Sequence, residues 1–195
     1  MIVSRKNKLS KEAIEKRNEA FWKLPAAEQR VAIAQDVLNE LSARRMNAKR
    51  DIYVYFGDYC LPKGSEEDSL QDHLEKMPSC DVCAKGALFV SAVRLGNRFK
   101  CGEIVDGVID EDDINYVDFS NFKDFLRDIF SSEQLELIEY VFERGIIGDV
   151  DSAEITKADA FIDHYLSKDA NWADDEAMMI AIMKNIIKNK GTFIP

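Results

Sequence analysis

Two cysteines separated by two residues, Cys80 and Cys83 in CDVCAKGALFVSAV, carry the sharpest chemistry in the 195-residue chain. Thiols at this spacing near a helix start can clamp a metal or cycle as a redox pair, and the helix N-terminus favours the thiolate. Cys60 and Cys101 would complete a tetrahedral zinc set, Cys-x19-Cys-x2-Cys-x17-Cys, with His73 as a further ligand. That set contains one close pair rather than two. A thioredoxin-like role needs a flanking βαβ pattern, and the sequence does not supply one. Burial as small apolar side chains is the competing expectation for these thiols.

A second constellation lies just upstream. Arg44, Arg45, Lys49 and Arg50 precede Tyr53, Tyr55, Phe56 and Tyr59. Cations interleaved with aromatics can hold a small anionic or nucleotide-like ligand by charge and stacking. Against this, cations are favoured at any helix C-terminus, and strand alternation sends half of the aromatics into the core. The acidic run DGVIDEDD (106–113) resembles the second half of a calcium loop. The first and third ligand positions of such a loop fall on Gly102 and Ile104, which offer no carboxylate, so a solvated loop is expected. There is no nucleophile elbow, P-loop or Gly-rich dinucleotide turn. The only histidines are His73 and His164, and no spacing pairs either with a cysteine. With no complete catalytic set, the sequence leans away from an enzyme.

The elements that must position these residues are mainly helical. Ser10 caps a helix to about Lys23. Pro25 opens a second through about Met46, with Val31, Ala34, Leu38 and Leu41 at helical spacing. Residues 51–59 are β-branched and aromatic and predict a short strand; 98–105 predict another. Between them, 61–72 read as turns. A helix follows from about Ser79 to Gly96. Phe122, Phe125, Leu126, Ile129 and Phe130 form one stripe. Ser131 and Gln134 have capping-box spacing before a helix that Gly145 ends. Two more helices are expected, one after Asp151 and one from Asn171 to Gly191. The whole reads as a compact, mainly α domain of about seven helices over 1–195, with a minor β element near 51–59 and 98–105 and any sub-boundary at 106–118.

Composition narrows the function classes. Hydrophobic residues make up 46% of the chain and Gly plus Pro are scarce, which excludes disordered and collagen-like classes. The net charge of −10 argues against a nucleic-acid binder. The charge is polarised: residues 1–50 hold 12 basic and 6 acidic residues, and 51–195 hold 14 and 30. No apolar run is long enough for a membrane span, and the N-terminus has no secretory pattern, so the expected location is the cytoplasm, with thiols reduced.

Three segments, AEQRVAIAQDVLNEL (27–41), CDVCAKGALFVSAV (80–93) and IMKNIIKNKGTFIP (182–195), resemble a family of uncharacterised small proteins of bacteria and tailed phages. The resemblance implies an intracellular, infection-related setting and assigns no activity or site residue. The expected function is therefore non-enzymatic binding of a protein partner or small charged ligand, acting on a host factor or defence system if phage-encoded. A zinc- or thiol-dependent protein built on Cys80 and Cys83 is the first alternative. An acidic nucleic-acid mimic, using 51–195 against a basic surface, is the second.

Overall fold

The computed structural model describes residues 10–57, 59, 61–62, 64–65, 67–103, 124–145, 152–165 and 173–195. The fold is mainly helical with a small three-stranded sheet. Helix α1 (Lys11–Lys23) starts where the Ser10 hydroxyl accepts from the Ala13 N–H at 3.2 Å. Helix α2 (Ala26–Ser42) follows Pro25 and stops four residues earlier than its pattern suggests, because Arg44 takes a left-handed turn, φ 58°, into strand β1 (Met46–Ala48). Its inner face is Ile33, Ala34, Val37 and Leu41, with Gln29 and Glu40 buried beside them.

Strand β2 (Val54–Tyr55) lies in the expected 51–59 segment. Residues 61–72 contain more than turns, since α3 (Leu70–Leu74) begins there. Cys80–Val82 form strand β3, where a helix start was expected, and α4 (Ala84–Gly96) begins only after Cys83 has capped it. The strand order is β1-β3-β2. β1 runs parallel to β3, with Met46 beside Cys80, and β2 is antiparallel, with Val54 beside Val82. Over the described part of the second expected strand, 98–103, there is a single bridge from Lys100 to Ser69, followed by the 3-10 turn Cys101–Glu103.

Residues 124–127 are helical, and Phe125, Leu126, Ile129 and Phe130 are buried as their stripe predicts. Helix α5 (Ser132–Phe142) is capped by the Ser131 hydroxyl; Arg144 and Gly145, both at positive φ, end it. Helices α6 (Ser152–Tyr165) and α7 (Ala173–Lys188) complete the chain. Phe122, the calcium-like loop, Asp151, Asn171 and the 106–118 boundary lie outside the described residues. Helix α4 is the hub. It packs on α1, α2, α3, α5 and the sheet, and nearly all of its residues are buried, as its small side chains allow. Apolar side chains from α1 through the tail form one core cluster, and α2 against α7 is a principal contact.

Candidate functional site: buried ion networks around the sheet

The segment joining β1 to β2 carries three of the candidate residues, Lys49, Arg50 and Tyr53, and lies over the start of α4. It is fixed there by backbone contacts. Cys83 N–H donates to the carbonyls of Ile52 (2.6 Å) and Tyr53 (3.3 Å). Gly86 faces the same segment so closely that a Cβ would stand 1.6 Å from the Tyr53 carbonyl oxygen, so only glycine fits. Asp51 sits at φ 62°, which turns its N–H toward the Glu143 carboxylate at 3.3 Å.

Under this segment charged side chains converge from α4, α5 and α7. The Tyr53 hydroxyl donates to Glu139 at 3.2 Å, and the buried Lys85 ammonium pairs with the other oxygen of Glu139. Asp175, 1% exposed, accepts from the Arg50 guanidinium at 2.9 Å and from Arg144 at 3.0 Å, and the Arg50 backbone N–H adds a third bond at 3.3 Å. Burial, with Asp51 and Glu139 as like charges, raises the Glu143 carboxyl to about 7, against the pull of the Asp51 N–H and Arg50. The same surroundings push the Tyr53 phenol above its ordinary value, burial first and Glu139 second.

A second network links α2 to α4. Arg45 grips Glu40 with two bonds, 2.7 and 2.6 Å. Arg94 donates to Glu40 at 2.9 Å and to Asp36 at 3.2 Å. Burial raises the Asp36 carboxyl, and Arg94 opposes the rise. A third group lies at α3. The Tyr59 hydroxyl and His73 Nδ1 are 2.8 Å apart, and His73 Nε2 is 3.3 Å from Asp68. With Nε2–H donating to the carboxylate, Nδ1 accepts from Tyr59.

The candidate residues therefore have definite places. Arg44 pairs with Glu176 at 2.9 Å, Arg45 with Glu40, Lys49 with Asp81 at 2.5 Å, and Arg50 with Asp175. Tyr53 turns inward to Glu139, and Tyr55 stands half-buried in β2. The described cysteines do not converge. Cys80 lies beside Arg45 and Glu40, and its thiol donates to the Arg45 carbonyl at 3.8 Å. The Cys83 sulfur accepts the Gly86 N–H at 3.5 Å and lies near Glu143 and Glu139. Cys101 lies near Asp68 and Ser65. Burial pushes the Cys80 and Cys83 thiols up to about 12 and Cys101 to about 11, so the helix N-terminus does not make Cys83 a thiolate. All three are free thiols. Among the described residues no group of three or more His, Cys, Asp and Glu is arranged to hold a metal; Cys60 lies outside them, so the four-cysteine set is not placed as a whole. His73 is buried with Tyr59, and His164 is exposed beside Tyr165.

The sequence reading missed Lys85, Glu139, Glu143, Arg144 and Asp175. Signals for two of them existed: Lys85 is the one charge in the apolar run VCAKGALFVSAV (82–93) before Arg94, and Glu139 shares the buried face of α5 with Leu135 and Phe142. No helix among the described residues is long and apolar enough to cross a membrane. No protein-family model, curated protein or solved structure matches the chain.

Proposed function

We propose that this protein works by occupying a protein partner, without turnover. One observation carries the reading: the cations of the 44–50 segment, the best candidates for gripping a small anion, are all spent on carboxylates of the protein's own α2, β3 and α7. At Arg45 or Arg50 a small anion would have to displace the buried Glu40 or Asp175, and breaking such pairs costs about 3 to 5 kcal/mol; the solvent-screened pairs of Arg44 and Lys49 are worth far less. The reactive-looking groups are likewise absorbed into the fold: Tyr53 and Lys85 serve Glu139, and burial holds the described thiols protonated. The remaining negative charge of the 51–195 part would steer the protein toward a basic protein surface and make association salt-sensitive. The resemblance of 27–41, 80–93 and 182–195 to small bacterial and phage proteins suits a partner in the bacterial cytoplasm, a host factor or a component of its defence.

The test is native mass spectrometry of the protein purified gently from its own cells. The expected species are the chain bound to a second polypeptide and the bare chain, with the complex dissociating as ionic strength rises. A nucleotide-sized adduct retained on the chain, or turnover of any hydrolase, transferase or redox substrate that survives repurification, overturns the reading.

A further inference from the structure

The cations of the 44–50 segment are all paired, but those at the far end of α7 are not. Lys184, Lys188 and Lys190 are exposed, and none of them has an ion pair among the described residues. Lys184 and Lys188 lie four apart, on one stripe of α7. The neighbouring stripe, Asn185 and Asn189, holds the tail. A fourth cation, Arg30 of α2, reaches the same turn. Carbonyls hold it, those of Gly191 at 2.5 Å and Ile129 at 2.6 Å, with no carboxylate among the described residues. Residues 51–195 are acidic as a whole, and this corner is a basic exception.

The same corner exposes apolar surface. Ile194 and Tyr165 are the large hydrophobic side chains left exposed among the described residues, at 54% and 44%. Phe161 connects them: its ring centre lies 4.7 Å from that of Tyr165 and 5.4 Å from that of Phe193, the residue before Ile194. Ile194 is firmly held. Asn185 bonds both its backbone N–H and its carbonyl, and Gln134 does the same for the buried Phe193. A fixed backbone thus presents a bare aliphatic side chain, and binding through it does not first have to order the chain. The helix dipole accounts for cations near the end of α7. It does not account for an apolar side chain fixed and exposed beside them.

We infer that the tail and the C-terminal end of α7 form the face that docks the partner, which meets it with an apolar pocket for Ile194 rimmed by carboxylates that face Lys184 and Lys188. An apolar centre with a polar rim is the ordinary anatomy of a protein interface. A nucleic-acid backbone would match the lysines but offers no apolar pocket to an aliphatic anchor. Ile194 supplies the buried contact, and the lysines fix orientation. The inference rests on the partner-binding reading above and locates its contact.

The test uses the complex as purified from the protein's own cells. A carbodiimide joins an amine to a carboxylate in direct contact, with no spacer. It should link Lys184 or Lys188 to an Asp or Glu of the second polypeptide, as read by mass spectrometry of the digest. Ile194→Ser should weaken the complex at least about tenfold. Lys184→Glu combined with Lys188→Glu should weaken it likewise and blunt its loss with rising salt. Lys16→Gln, at an exposed pair on α1, should change neither. The replaced side chains are exposed, so thermal melts of the free variants should match the parent's. Links confined to other lysines, or variants that bind as the parent does, overturn the docking face and leave partner binding standing. Retention of no second polypeptide overturns both readings. Retention of nucleic acid through Lys184 and Lys188, in place of a protein, overturns the acidic pocket.

Discussion

The two ends of α7 are fastened in opposite ways. At its first turn Asp175 is buried between Arg50 and Arg144, next to Glu143, Glu139 and Lys85, so a charged centre ties α7 to the β1–β2 connection and to α5. At its last turn neutral amides do the same work on the tail. Asn185 accepts from the Ile194 N–H at 2.9 Å and donates to the Ile194 carbonyl at 2.6 Å; Gln134 of α5 makes the same pair of bonds with Phe193, at 2.7 and 3.1 Å. Both devices satisfy non-helical backbone or side chains beside a helix end. The charged one costs desolvation that only intact partners repay, and its strength changes with pH. The amide clasp carries no charge, and each bond adds about 1 kcal/mol. The centre should therefore be brittle where the tail is merely additive.

Asp175→Asn is the strongest break. It keeps the shape and leaves two guanidiniums facing a neutral amide, and the expected loss is about 3 to 5 kcal/mol. A thermal melt should show it as a fall on the order of 10 °C for a chain of this size. A loss below 1 kcal/mol would mean that water, rather than Asp175, satisfies Arg50 and Arg144. Next comes pH. Glu143 is harder to ionise in the folded chain, about 7, than at its ordinary 4.5. A raised acid stabilises the fold while it stays protonated; its contribution is complete below about 4.5 and is lost as pH climbs through about 7. Each unit of separation is worth about 1.4 kcal/mol, so the loss reaches at most about 3 kcal/mol. Glu143→Gln should flatten denaturant-derived stability between pH 5 and 8 relative to the parent. Parallel curves for the two would remove Glu143 from the centre's pH response.

The same contrast explains what the sequence could and could not convey. Caps and stripes are local, so Ser10, Ser131, Gly145 and the Phe125–Phe130 stripe mark real helix limits and faces. At the tail, Gly191 and the spacing of Asn185 and Asn189 suit a plain helix stop as well as a packed tail; the structure shows the latter, with Asn189 donating to Asn185, which holds Ile194. The centre is non-local. Arg50 meets Asp175 across 125 positions, and Lys85 meets Glu139 across 54. Nothing in the periodicity of either partner names the other. Cys80 misleads for a related reason. Its neighbours suit a helix start, yet pairing with Met46 makes 80–82 a strand, because the β1–β3 ladder between α2 and α4 outweighs local preference.

Smaller effects sharpen the contrast from the neutral side. Asn185→Ala removes both bonds to Ile194 and should cost about 1 to 2 kcal/mol. Because no charge is involved, the loss should be the same at pH 5 and pH 8, and amide exchange at Ile194 should quicken while Arg50 and Asp51 stay protected. A pH-dependent loss would show that the tail couples to the charged centre through α7. The weakest expectation tests whether charge alone makes a contact matter. Arg44 pairs with Glu176 one residue beyond Asp175, but its side chain is 75% exposed. Solvent screens such a pair, and Arg44→Ala should change stability by less than about 0.5 kcal/mol. Two ion pairs on adjacent residues of α7 would then differ roughly tenfold in worth, by burial. A loss at Arg44 comparable with that of Asp175→Asn would instead place the whole 44–50 cation run in one cooperative network.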